Sequence, residues 1–207
     1  MRMLQASPVI RRLGVPLLFL AVALSLVYAL PSGVPAVKAG KTVIAKADTE
    51  NTAHQILRDD AILPEAVGRI RAAMLAAAMS GDIEALRIPV EMNEIAPMLA
   101  KEKVPDPVAY WRTISGDGQG REIMAIMVEL LRTGFVRKAA GTGDEMYVWP
   151  YFAEIPLHAL TPTQEVELLT LVTPERLKAM QLSGKYDHYR IGIAHDGTWH
   201  FFWNGAH

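Results

Sequence analysis

The sequence predicts an α+β fold, with several helices packed on a small antiparallel sheet that ends in a C-terminal β-hairpin. Three observations carry this. Apolar residues recur at helical spacing behind cap or proline signals after Pro64, Gly120 and Pro162. Two short runs, residues 135–138 and 145–152, are instead rich in aromatic and β-branched residues, the composition of strands. Two more such runs, 186–194 and 198–203, flank His195-Asp196-Gly197, and Asp-Gly is the strongest short hairpin signal.

Taken in order, residues 37–62 are mostly polar or small and read as a flexible lead-in, with room for one short helix around 52–58. Leu63-Pro64-Glu65 opens a helix, since proline is tolerated in a first turn and a glutamate suits the positive end of the helix dipole. Val67, Ile70, Met74 and Ala78 form its apolar stripe. Ser80-Gly81-Asp82 ends it, and Asp82 caps a short second helix. Pro89 and Pro97 break the stretch that follows. Asp106-Pro107 is another cap followed by a first-turn proline, leading to Val108 and Trp111. After the glycine-rich loop 115–120, Ile123, Ile126, Met127, Leu130 and Leu131 define an amphipathic helix over 120–132 that stops at Gly134. The strand at 135–138 turns through 140–144 into the aromatic strand. Thr161-Pro162-Thr163-Gln164 matches a capping box, and the helix over 162–172 carries Val166, Leu168, Leu169 and Val172. Thr173-Pro174 repeats the cap before the hairpin.

The chain has 207 residues, 51% of them hydrophobic, enough for one domain with a real core and too few for two ordinary ones. Formal net charge is −1, so nothing in the overall balance points to nucleic acid. Having no cysteine, the chain has no disulfide, thiolate metal site, cysteine nucleophile or lipid-anchoring cysteine. That leaves the compartment open.

The N-terminus speaks to it. Arg2, Arg11 and Arg12 precede an uncharged apolar run over 13–30, and the small, turn-prone stretch 31–36 follows. This is the layout of a secretory signal peptide over 1–36, with cleavage after Ala36 or Ala39. The alternative is an uncleaved N-terminal anchor, since the run approaches the roughly 20 residues that span a bilayer. Either way residues 63–207 form a single exported domain, periplasmic in location, that meets the membrane only through 13–30 if the leader stays. Removing 1–36 takes away those three arginines and no acid. The 21 basic residues become 18 against 22 acidic, a net charge of −4.

Four runs carry a family resemblance: Ser115-Gly-Asp-Gly-Gln-Gly-Arg-Glu122, Tyr147-Val-Trp-Pro-Tyr-Phe152, Leu160-Thr-Pro-Thr-Gln-Glu-Val-Glu-Leu168, and the close Tyr189-Arg-Ile-Gly-Ile193 with Asp196-Gly-Thr-Trp199 and Phe201-Phe202. Together, over roughly 105–203, they resemble a family of uncharacterised exported proteins of alphaproteobacteria. The resemblance implies export and carries over no catalytic or binding residue, and the Asn204-Gly-Ala-His207 ending departs from the family's acidic terminus. Separately, the run of helix, Ser80-Gly81-Asp82 and short helix resembles the start of cone-shaped α+β pocket domains of the nuclear-transport-factor-2-like type.

Candidate chemistry is sparse. Gly116, Gly118 and Gly120 before a helix suit either an anion cradle, with Arg121 adding charge, or a plain tight connection. The spacing fits neither a dinucleotide fingerprint nor a P-loop. His188, His195 and His200 lie on the hairpin, where His188 and His200 on paired strands would approach each other as neutral imidazole ligands for zinc or copper, or else all three are surface side chains. No carboxylate is spaced to complete a metal site, and no metal or cofactor is assigned. No serine sits in a nucleophile motif. Asp117, Glu122, Glu145 and Glu154 are acids of a kind common in loops, and no catalytic residue is assigned.

The aromatic residues are the least ordinary feature. Alternation places Tyr147, Trp149 and Tyr151 on one side of a strand, which Pro150 suggests is an edge, and Trp199, Phe201 and Trp203 on one side of another. If helices cover both sheet faces, both rows are core. If one face is open, its row is a stacking platform for sugars, peptides or a protein partner, with Tyr147, Trp149, Tyr151, Trp199, His200 and Arg121 as the binding set. The expected function is a non-catalytic envelope domain binding an envelope component or protein partner through that surface. The alternatives are a pocket domain of the cone-shaped type and, last, a cell-wall hydrolase.

Overall fold

The computed structural model describes residues 55–205. The leader, the anchor run, most of the lead-in and His207 lie outside them. Strand β1 (Ile56–Leu57) enters the sheet, helix α1 (Glu65–Met79) crosses it, and α2 (Arg87–Glu91), α3 (Pro107–Ile114) and α4 (Arg121–Arg132) follow. Then come β2 (Phe135–Lys138), β3 (Met146–Trp149), α5 (Pro162–Leu168), α6 (Pro174–Ser183), β4 (Arg190–Ala194) and β5 (Trp199–Trp203). The sheet is an antiparallel meander in the order β1-β2-β3-β4-β5, so the fold is α+β.

Local chemistry explains the helix starts. Asp106 accepts from the backbone N–H groups of Val108 and Ala109 at 3.0 and 3.2 Å, with Pro107 in the first turn of α3. Thr161 and Gln164 form a reciprocal capping box at α5, and Thr173 caps α6. The hairpin turn needs Gly197, whose φ is +91° and whose missing Cβ leaves room for the Ala66 carbonyl of α1.

Two apolar cores sandwich the sheet. On one face Phe135, Tyr147, Trp149, Ile191, Ile193, Trp199 and Phe202 meet α1, α3 and α4. On the other Val136, Val148, Tyr151, Phe152 and Tyr186 meet Leu157, Leu168, Val172, Leu177 and Met180 from the turn at 157–159, α5 and α6. Helices therefore cover both faces, and an open aromatic face is not what this sheet offers.

Four expectations need correcting. The aromatic strand β3 is central, between β2 and β4, and not an edge. Pro150 is tolerated because it follows Trp149, the last ladder residue; the Trp149–Pro150 peptide is cis. The lead-in is ordered from β1 onward, and Ile56–Leu57 is strand and not helix because it pairs with Phe135 and Val136. The α5 stripe turns differently from its pattern: Leu168 and Val172 are buried, whereas Val166 is 67% and Leu169 41% exposed. The buried side keeps a helical period through Gln164, Leu168 and Val172, and this places Val166 and Leu169 on the opposite, solvent-facing side. Finally, a register shift between Gly192 and Ile193 breaks the alternation of β5.

Candidate functional site

The three rings of the aromatic strand do not form one row. Tyr147 and Trp149 point to the α1–α4 side, with ring centroids 6.1 and 4.9 Å from that of Phe135. The Arg71 guanidinium lies 6.0 Å from the centre of the Trp149 ring. Tyr151 starts a turn of 3-10 helix and packs on the other side against Phe152. Its hydroxyl donates to Glu167 at 2.8 Å, and Arg58 closes on the same carboxylate with two bonds of 2.7 Å. Burial first, then the hydrogen bond to the Glu167 carboxylate, pushes the Tyr151 phenol well above its ordinary range. All three rings are buried, so none is available for stacking.

Trp199 is likewise enclosed, stacked on Trp111 at 5.8 Å and 19°, with its Nε1–H donating to the Phe201 carbonyl at 3.0 Å. The register shift turns Phe202 to the same side as Trp199 and sends Phe201 to the opposite core. Phe201 lies over Gly192, where a Cβ would meet its ring at 2.3 Å. His200, by contrast, is exposed. Its carbonyl accepts from Met98 N–H at 2.8 Å and the Met98 carbonyl accepts from Phe202 N–H at 3.0 Å, so Met98 covers the outer edge of β5.

Arg121 is exposed, but the loop before it is not an anion cradle. The Asp117 carboxylate accepts from the Ser115 hydroxyl and from the N–H groups of Gln119, Gly120 and Arg121, at 3.1, 3.0 and 3.2 Å for the backbone three. Glu122 takes the Gly116 N–H. The chain's own carboxylates occupy the donors an anion would need.

The histidines separate. His188 sits among Tyr186, Tyr189 and the α6 end of a groove, its pKa lowered to about 4 by burial and the nearby Arg176 charge. His195 goes to the other end of the sheet. Among the described residues no group of three or more metal-ligating side chains is arranged to hold an ion.

His195 meets Glu145, which is 4% exposed and the most enclosed acid among the described residues. Glu145 accepts from Arg137 at 2.6 Å, Gly141 N–H at 2.6 Å and Tyr147 O–H at 2.9 Å, and His195 Nδ1 lies 2.8 Å away. Those partners, Arg137 foremost, hold the carboxyl far below its ordinary range. A carboxylate this fully engaged is no proton donor. It ties the β2–β3 turn to the β4–β5 turn, helped by His195 N–H donating to the Glu145 carbonyl at 3.0 Å.

What remains open is α2 and the stretch that joins it to α3. Ile88, Met92, Ile95 and Met98 are 63%, 44%, 78% and 39% exposed. Two open cavities flank it, one of about 720 Å³ bordered by Ile95, Met98, Lys101 and His200, the other of about 500 Å³ bordered by Arg69, Met92 and Asp196. Glu94 and Ile95 line both. The stretch is anchored: Asn93 accepts from Trp199 N–H at 3.0 Å and donates to its carbonyl at 3.3 Å, and Leu99 is buried. Of the expected binding set only His200 borders this region. The sequence signal for it was present as four large apolar residues in an otherwise irregular, proline-broken segment. No family model, curated protein or solved structure matches the chain.

Proposed function

We propose that this chain is an exported envelope protein whose folded domain binds a protein partner without catalysing a reaction on it, through the apolar rim of Ile88, Met92, Ile95 and Met98 beside His200. The export half rests on the order of basic, apolar and small residues over 1–36. The binding half rests on one observation: Met92, Ile95 and Met98 are exposed along a stretch held to β5 through Asn93 and Met98, and Ile88 is exposed on the helix just before it. Contiguous exposed apolar surface beside open cavities marks interaction sites, and methionine adapts to irregular partner surfaces. The pinned backbone keeps the ordering cost of binding low.

Crosslinking tests it. A photoreactive residue at Ile95 should capture a discrete envelope protein, and the same residue at Val166, equally exposed elsewhere, should not. Met98→Asp should weaken capture at position 95 while changing stability by no more than ordinary surface substitutions do, about ±0.5 kcal/mol. Equal capture from both positions would refute the assignment of this face.

A further inference from the structure

Arg190 opens β4 on the α5–α6 side of the sheet, opposite Ile191 and Ile193. It is 6% exposed, and its Nη2 donates to the Tyr186 carbonyl at 2.9 Å. The guanidinium carbon sits 5.7 Å from the centre of the Tyr186 ring. Its Nε–H is buried and has no partner. No carboxylate among the described residues lies within ion-pair distance of it, and Glu154, the acid whose charge reaches it, is engaged by Lys138 at 2.8 Å.

Six other arginines contrast with it, while Arg121 and Arg132, which meet no carboxylate among the described residues either, are exposed to water. Arg58, Arg71, Arg87, Arg112, Arg137 and Arg176 each close on a carboxylate at 3.2 Å or less, though all are more exposed than Arg190. Taking a guanidinium out of water is costly unless an anion and further hydrogen bonds compensate it. Arginine stays protonated under these conditions, so burial leaves a positive charge short of acceptors.

Beside this charge is an open cavity of about 210 Å³, lined by Phe152, Ala153 and Ile155 and by Gly184, Lys185, Tyr186 and Arg190 itself. Lys185 is exposed at the rim, where it adds a second positive charge. One wall is apolar and the other cationic. A planar carboxylate matches the guanidinium fork, and a short apolar group attached to it matches the Phe152–Ile155 wall. A phosphate dianion would find too few donors and an unsuitable wall.

We propose that this cavity is a binding site for a small carboxylate bearing a short apolar group, held by Arg190 with Lys185 at its mouth. The site shares no residue with the apolar rim and stands or falls independently of it. Two sources present the same chemistry: a free short-chain acid, or the C-terminal carboxylate of a peptide ending in an apolar residue.

The test titrates the purified protein with isobutyrate, with isobutyramide, and with a tripeptide ending in valine as free acid and as amide. The readouts are melting temperature and backbone amide NMR shifts. A saturable rise in melting temperature with an acid, absent with its amide and centred on the amides of 184–190, is expected. Saturation by isobutyrate names the free acid as source, and saturation by the peptide acid alone names the C-terminus. Arg190→Met should bind the acid at least about tenfold more weakly, the worth of a charge-assisted hydrogen bond, yet melt no lower than the wild type because it removes an uncompensated charge. Lys185→Gln, on the exposed rim, provides a weakened binder should the core substitution fail to fold. No saturable response to either acid, an equal response to the amides, or a response unchanged in Arg190→Met, or in Lys185→Gln where that variant stands in, would overturn the assignment.

Discussion

Replacing Trp149 and Trp199 separately by phenylalanine distinguishes a buried ring with a satisfied indole N–H from one without. Both indoles are fully enclosed, so the lost ring area and the small cavity left behind are similar and largely cancel in the comparison. What differs is the nitrogen. Trp199 Nε1 donates to the Phe201 carbonyl at 3.0 Å, a bond worth about 0.5–1.5 kcal/mol net. Trp149 Nε1 has no partner, and an unsatisfied buried donor already costs about 1–3 kcal/mol, which phenylalanine removes. Trp199→Phe should therefore be the more destabilising by about 1.5–4.5 kcal/mol. At about 2–4 °C per kcal/mol for a domain of this size, the two melting temperatures should differ by at least about 3 °C. Trp149→Ala, which empties the site against Phe135 and Arg71, should cost about 3–5 kcal/mol. Urea titration and calorimetry of the three variants measure all of this. Equal losses for the two phenylalanine variants would refute the account of the nitrogens. A Trp149→Ala variant as stable as the wild type would put that ring on the surface and restore the stacking platform.

Leu168→Ala should cost about 2–5 kcal/mol, whereas Leu169→Ala, on a half-exposed side chain, should cost clearly less, about 1 kcal/mol; reversed values by urea titration would mean the α5 register is wrong. Gly197→Ala should destabilise by about 1–3 kcal/mol for its left-handed backbone alone, and more from a Cβ placed 2.9 Å from the Ala66 carbonyl oxygen; a neutral melting temperature would contradict the docking of the hairpin turn on α1. Glu145 has a folded-state pKa below its ordinary 4.5, so its contribution is complete above that value and is lost as the pH falls beneath it. Glu145→Gln should lower stability at pH 7 and flatten the acid limb of the stability curve; an acid limb as steep as the wild type's would show that the Arg137 contact is not made in solution.

The legible parts of this chain are those whose cause lies within a few residues. Asp82, Asp106, Thr161 and Thr173 cap helices by accepting from N–H groups two or three positions ahead, and Asp196-Gly197 turns the hairpin through a contact to Thr198. The period of 3.6 residues in α4 needs only its own side chains, and of the stripe Ile123, Met127, Leu130 and Leu131 are buried and Ile126 is half-buried. The site was much less legible. Strict alternation on 147, 149 and 151 ended at Pro150, and alternation on 199, 201 and 203 ended at the register shift opposite Gly192, both set by partners distant in sequence. The same rule would have sent Arg190 to solvent. Its burial follows from a Phe152–Tyr186 wall assembled from segments that are separate in the chain. Capping, turns and helical period are short-range and therefore written in the sequence. Which of two strand faces is covered, and which charge is left without a counter-charge, depends on what packs across the sheet, and only the tertiary structure decides it.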